Sequence, residues 1–480
     1  YGPSVGVGDP GRVGRAGQSV RLPPRRICPP RSLPRSEDDA VSTFATDSAA
    51  RLPGDPWLRD RRTAAAEAFA AAPLPTEKDE VWRYSRIDGL DLERFTPAGT
   101  PGEGAGPAAS ERVHALADRL GPRAGLVVTI DGVLATVAGE AAAGTAELGR
   151  LADHAEAPRL LGAVLADPSD FALLNDAFAP DPVVVDVPAG QSVDDPVVVV
   201  HVVTGPAGTA VFPRTVVRVG DGARAAVVEL VIDVDGGALA DGAGRLAPAA
   251  PVERLVVPAT EIDLGEGATA SFVSVQALGP ADWQVAHQAS RLAARSSLSS
   301  YAVALGGSYA RLRTDSALVG DAAASRLRAA YLGRDDQMLD FRTLQDHRAP
   351  RTTSDLLFMG AVAETAHSVY SGLIRIQKGA VRSDARQTNH NLVLDEGAHA
   401  DSVPNLDIEE NDVQCSHGST VGPVDEDQRY YLESRGVEPG RAEQLIVAGF
   451  FEAIADEVPL AGVRPLVGAA LAGRVGASRG

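Results

Sequence analysis

From Pro180 to about residue 425 the chain is a succession of short β-branched stretches with no long helix among them, and nothing else in it constrains the fold as much. "PVVVDVPAG", "PVVVVHVV", "RTVVRVGDG", "RAAVVELVIDV" and "TEIDLGEG" follow one another. Several close on the same punctuation: an apolar residue, two others, then glycine. It recurs at Val187-Pro-Ala-Gly190, Val219-Gly-Asp-Gly222, Leu264-Gly-Glu-Gly267, Ile376-Gln-Lys-Gly379 and Leu394-Asp-Glu-Gly397, and four of the five are followed at once by alanine. Glycine there permits the positive φ of a tight turn.

A strand–turn–strand unit repeated over this span points to a repeat architecture. A sandwich or barrel would show antiparallel hairpins with clear inside–outside alternation. A parallel β-helix stacks each coil on the last, so a narrow Val/Leu/Ile/Ala interior suffices and small residues take the corners. Aromatic residues make up only 5% of the chain and the turns are irregularly spaced, which favours the β-helix. Its open edges and ends would invite a partner or a cap.

The flanks have a different texture. "DPWLRDRRTAAAEAFAAA" (55–72) is a strong helix former ended by "PLP", and "TEKDEVWRYSRI" (76–87) offers Trp82 and Tyr84 as anchors. Segments 111–121 and 158–178 read as helices, with a strand at 125–132 between them. After Val424, "DEDQRYYLESRGV" (425–437) and "EPGRAEQLIVAGFFEAIADEV" (438–458) read as helices joined at Gly436, the second starting at Glu438 and Pro439. Its expected apolar face is Leu445, Ala448, Phe451, Ile454 and Ala455. Phe450 and Phe451 together exceed one buried stripe, so an exposed aromatic here would suit docking.

Residues 1–40 are rich in Pro, Gly and Arg without apolar periodicity. An Arg-rich transit peptide is one reading, but the prolines spoil its amphipathic helix. The stronger expectation is a disordered, non-native tail from a start site set too far upstream, with "VSTFATDSAA" from Val41 as the natural N-terminus. The expected division is therefore a tail (1–40), a mainly helical N-terminal domain (41–179), a β-helix core (180–424) and a helical C-terminal domain (425–480).

Hydrophobic content of 44%, charged content of 23% and a net charge of −19 describe a globular chain without the basic surface that nucleic acid needs. No apolar run is long enough to span a membrane. There are two cysteines, Cys28 in the tail and Cys415. They cannot build a disulfide framework, so Cys415 reads as a free thiol in the cytoplasm.

Cys415 stands two places before His417 in "NDVQCSHGST", after Glu409, Glu410, Asn411 and Asp412. On a strand, residues two apart share a face, so thiol and imidazole would project together. Two ligands are too few for a closed zinc site, and no CxxC partner exists. A Cys/His nucleophile pair would need a protease or transferase signature that the chain lacks. From the pattern alone a structural role ranks first, and the acid cluster reads as a solvated turn. His347, His367, His390 and His399 fall in the later coils; one or two become ligands if the coils align them, and the rest read as surface or hydrogen-bonded residues. No GxxxxGK[ST] and no GxGxxG before a helix occurs, and "LGGSYARL" (305–312) lacks the lysine, so the chain should not hydrolyse ATP by itself.

The block "QTNHNLVLDEGAHADSVPNLDIEENDVQCSHGSTVGPVDEDQRYYLESRGV" (387–437), followed by "AEQLIVAGFFEAI" (442–454), closely resembles the SufD branch of the SufB/SufD family. "LPTEKDEVWRYSRI" (74–87) resembles that family's N-terminal signature. The SufB branch carries Glu-His-Glu-Ala where Cys415-Ser416-His417-Gly418 stand, and a cysteine in the segment matching "ARQTNHNLVL", which is absent here. The resemblance implies a right-handed parallel β-helix core between N-terminal and C-terminal helical domains. It implies a scaffold subunit without its own catalysis, working in iron–sulfur cluster assembly. Its last coils would pair with a SufB-type paralogue, and its C-terminal helices around 429–455 would dock a SufC-type ATPase. Cys415 and His417 would then handle iron or a nascent cluster, transiently and shared with the partner, with the thiolate favoured by a cationic His417. Tyr430, Tyr431, Phe450 and Phe451 would lie at the partner interface. Alone, the chain could form a homodimer. The competing readings are a carbohydrate-active β-helix enzyme of the polyuronate lyase kind, which fits badly with a lysine-poor middle and no signal peptide, and a metal-free structural homodimer.

Overall fold

The computed structural model describes residues 43–98, 107–139, 145–165, 170–233, 252–458, 460 and 462–476. The expectations for residues 1–40, including Cys28, lie outside the described residues.

The β-branched stretches form strands that alternate between two sheets. Tyr309–Leu318 lies in a 12-stranded sheet, Ala324–Gly333 in a 10-stranded one, and Met338–His347 returns to the first. Each strand pairs in parallel with the one a full coil later, so Tyr309 lies opposite Met338, Met338 opposite His367, and His367 opposite His399. Among the described residues, antiparallel pairing occurs only between Gly125–Ile130 and Val133–Ala138, and between Glu147–Arg150 and Val183–Val187. The core is therefore a parallel β-helix, and the sandwich alternative fails because, among the described residues from 183 to 422, successive strands form no hairpins.

Stacking identical positions builds the interior in columns. One column runs Val187, Val219, Leu264, Leu292, Leu318, His347, Ile376, Ile408. Each fully buried aliphatic member contributes roughly 1.5–3 kcal/mol by leaving water. Interior tyrosines need room of their own: a Cβ on Gly360 would come 1.8 Å from the Tyr331 ring, so only glycine fits opposite it.

The repeated glycine punctuation marks one corner of the coil. Gly190, Gly222 and Gly267 adopt φ of 72°, 66° and 67°, and later coils reach the same conformation with Arg295, Ala322, Arg351 and Arg382 at 57°, 57°, 56° and 60°. These residues stack: the amide of Gly222 donates to Glu266 O at 2.7 Å, that of Gly267 to Ala294 O at 2.8 Å, and that of Arg295 to Asp321 O at 2.8 Å. Directly after the corner comes a small buried residue: Ala223, Ala268, Ser296, Ala323, Thr352 or Ser383. The Leu394–Gly397 match lies at the opposite corner, where Gly397 is not left-handed.

Helices cover part of each outer face. Pro56–Ala71, Trp82 and Asp170–Phe178 pack on the 12-stranded sheet through Phe171, Phe178, Phe212, Trp283 and Tyr309. Pro439–Ala455 and Val463–Gly476 pack on the 10-stranded sheet, where Tyr301 donates its hydroxyl to Ile454 O at 2.8 Å and Arg328 pairs with Glu457. No described helix is long and apolar enough to cross a membrane.

Three local expectations need correction. Tyr84 is exposed with φ 65°, so Trp82 alone is the anchor. The helix expected over 158–178 is broken into Ala157–Leu160 and Asp170–Phe178. The amides of Gly162, Val164 and Leu165 donate to the buried Glu261 carboxylate at 2.8, 2.8 and 3.0 Å, which Arg214 holds at 2.5 Å, so this turn is tied to the β-helix and cannot continue the helix. Finally, Pro439–Ala455 buries Ala442, Val447, Phe451 and Ile454, while Leu445 and Ala448 are exposed. The buried stripe is rotated because it faces both the 10-stranded sheet and the helix Val463–Gly476.

Candidate functional site

Cys415 and His417 lie on Gln414–Gly422, the last strand of the 10-stranded sheet. Among the described residues this strand pairs only with Asp384–Val393, setting Cys415 opposite Ala385 and His417 opposite Gln387. Ala385 and Gln387 are buried, so the alternation aims both site side chains toward the coil interior. Among the described residues, no further coil stacks on this one. The interior therefore opens to solvent: Leu406, Ile408 and Val421 are 36%, 43% and 44% exposed although they stack directly on the buried Ile374, Ile376 and Asn391.

Cys415 is a free, half-buried thiol that packs with Ile374, Ile376, Ala380 and Ala385. Burial pushes its pKa up, and the Asp384 carboxylate pushes it further. This corrects the expected cationic activation: among the described residues no hydrogen bond joins Cys415 to His417, which is exposed. In the isolated chain Cys415 is a thiol, and a cation or partner must displace its proton before sulfur can ligate. Beneath the pair lies a polar layer. Tyr331 donates to Asn391 Oδ1 at 2.7 Å, and Asn389 donates to Tyr331 at 3.1 Å. The buried Gln387 Oε1 and Ser402 Oγ have no partner among the described residues, so the open end also holds unspent acceptor capacity.

The acid cluster is structural. Glu410 accepts from the amides of Gly379 at 3.0 Å and Asn411 at 2.8 Å, tying its turn to the preceding coil.

The C-terminal aromatics separate into two roles. Tyr430 and Tyr431 are 74% and 58% exposed on Glu426–Ser434, a helix capped by Asp425. Tyr431, Leu445, Ile446 and Phe450 line a groove of about 1010 Å³ that reaches Leu392 and Pro423. Phe451 is buried, its ring edge-on to Phe450 at 5.2 Å, so as part of the sheet-facing stripe it is withdrawn from the expected interface surface. Leu445, read from sequence as buried, instead belongs to this groove.

The later histidines also divide. His347 is buried in the Leu/Ile column, and His390 is half-buried. His367 and His399 lie side by side with Asp401 on the outer face of the other sheet. Their alignment depends on a parallel register that no local spacing reveals.

A sequence profile described as "SUF system FeS cluster assembly, SufBD core domain" matches residues 201–450. The iron–sulfur cluster assembly protein SufD of Escherichia coli is 27% identical over 80% of this chain and 86% of its own length. A SufBD family protein of Synechocystis is 26% identical over 85% of this chain and 89% of its own. SufD of Bacillus subtilis is 35% identical over a shorter stretch, 31% of this chain and 34% of its own. The profile covers more than half of the 480 residues and spans most of the parallel β-helix together with Cys415 and His417, so the chain belongs to the SufBD family.

Proposed function

We propose that this chain is a SufD-type, non-catalytic scaffold subunit for iron–sulfur cluster assembly. The observation that carries the reading is the unfinished last coil. It presents a thiol, an imidazole and exposed Leu406, Ile408 and Val421 at one open end of the β-helix. An apolar rim around polar donors is the surface a second, similar coil would complete. A SufB-type paralogue supplies that coil and the ligands missing from the Cys415 and His417 pair. Iron or a nascent cluster is then cargo, held transiently across the interface. The groove beside Tyr430, Tyr431 and Phe450 docks a SufC-type ATPase, whose closure strains the joined coils through the C-terminal helices. In this reading residues 41–179 brace the core, 180–424 form it, and 425–480 receive the ATPase.

The test is co-expression with SufB- and SufC-type proteins, followed by size-exclusion chromatography with mass determination. A stable complex with one copy of this chain is expected. Tyr431→Asp should release the ATPase only, while Cys415→Ala with His417→Ala should leave the complex intact and lower cluster formation at least about tenfold, as loss of metal-site groups does. A chain that elutes alone or only with itself, or full cluster formation by the double variant, sinks the reading.

A further inference from the structure

The outer face of the 12-stranded sheet carries a second convergence of donor atoms, away from the open interior. His367 begins the strand His367–Ile376 and His399 begins His399–Ile408, and parallel register sets them directly opposite each other. Asp401, two residues after His399, shares their face. His367 Nε2 lies 2.8 Å from Asp401 Oδ2, and His399 Nε2 lies 3.3 Å from Asp401 Oδ1. The two rings stand 5.0 Å apart, inclined at 54°. One donor atom from each residue falls within 4.8 Å of the other two.

Four-coordinate bonds of about 2.0–2.1 Å put tetrahedral donors roughly 3.3 Å apart. The separations of 2.8 and 3.3 Å to Asp401, with all three donors within 4.8 Å, lie near that condition, and the exposed His399 ring has room to adjust. Two neutral imidazoles with one carboxylate suit zinc or a ferrous ion and are poor for calcium or magnesium. Three protein donors leave a fourth position for water or a donor from another chain.

We propose that His367, His399 and Asp401 bind one divalent transition-metal ion of the zinc or ferrous class, clamping the last coil to the one before it. The last coil is where such a clamp matters, since half of its strand His399–Ile408 is exposed and, among the described residues, it has a neighbour on one side only. A metal bound to the closed coil and not to the frayed one stabilises the closed form by mass action.

The probe is Co²⁺, titrated into the metal-free full-length chain in a Cys28→Ser, Cys415→Ser background, so that no thiolate contributes. One equivalent should bind with tetrahedral visible bands and be displaced by Zn²⁺. His399→Ala and Asp401→Asn should each weaken binding at least about a hundredfold, more than loss of a supporting partner costs. Hydrogen exchange over 399–408 should slow on Zn²⁺ addition and should not respond in either variant. Because His399 is exposed, its variant keeps the fold, which circular dichroism verifies. Absence of Co²⁺ bands, or bands that persist unchanged in both variants, overturns the proposal. So does Zn²⁺ protection that ignores residues 399–408. None of these outcomes bears on the scaffold reading, which is tested by complex mass and by Cys415 and His417.

Discussion

His347 shows how one buried residue sets a condition on the whole fold. It occupies a column otherwise made of aliphatics, between Leu318 and Ile376. Its Nδ1 is 2.8 Å from Thr352 Oγ1 and its Nε2 2.9 Å from Ser354 Oγ, so a neutral ring is fully satisfied by two hydroxyls. Burial lowers its pKa to about 4 against the pull of the Asp346 and Asp384 carboxylates. The folded value lies below the unfolded one, so the unfolded chain binds the extra proton first. Stability from this residue is complete above about pH 6.5 and is lost as pH falls toward 4. At pH 5 the loss is roughly 2 kcal/mol. Urea unfolding at pH 7 and pH 5 should therefore show a steeper decline in the wild type than in His347→Gln; equal declines would dismiss the idea. Sequence allowed His347 to be read as hydrogen-bonded but gave no hint of its column, since the two neighbours that desolvate it are each a full coil away. The Cys415 and His417 pair was legible as two residues on one face, yet its electrostatics were not. Burial and the Asp384 carboxylate on the preceding coil both oppose ionisation of the thiol.

At the scale of the element, the corner column was the most legible feature because its requirement is local. A left-handed residue followed by a small buried one leaves a mark within four residues, and this is why the glycine punctuation was readable. The later coils hid it by using Arg295, Ala322, Arg351 and Arg382 at the same φ, each accepting the strain that glycine avoids. Gly222 measures that strain cleanly, since a Cβ there would meet nothing within 4 Å. Gly222→Ala should lower stability by about 1–2 kcal/mol through the backbone alone. Gly222→Asn should cost clearly less, since asparagine tolerates the left-handed region. Denaturant midpoints of the two variants decide the matter, and equal losses would mean that packing, not φ, sets the corner. The helix expected over 158–178 failed for the opposite reason. Its interruption is dictated by Glu261 and Arg214, whose distance in sequence puts them beyond any local pattern.

For the whole molecule, the decisive asymmetry is between its covered faces and its uncovered end. Helices cover much of the outer surface of both sheets over the earlier coils, while the final coil leaves Leu406, Ile408 and Val421 partly in water. The repeat pattern in the sequence made the β-helix legible and implied that it must have ends. The family resemblance pointed to the last coils, but the residue pattern did not, because Ile408 looks no different in sequence from Ile376, the buried residue one coil earlier. The scaffold proposal assigns these three residues to a partner, and that assignment makes a prediction separable from folding. Substituting an already exposed side chain changes stability by no more than about 0.5 kcal/mol. Leu406→Asp and Val421→Asp should therefore leave the melting temperature of the isolated chain nearly unchanged. In an apolar interface core a buried, unpaired carboxylate costs several kcal/mol, enough to break a complex of ordinary affinity. Co-purification with the SufB-type paralogue should be lost for both variants, whereas Arg386→Asp, an exposed change on the outward face of the neighbouring strand, should retain it. If Leu406→Asp melts early, the last coil is finished within this chain and needs no partner. If it folds normally and still pairs, the interface lies elsewhere.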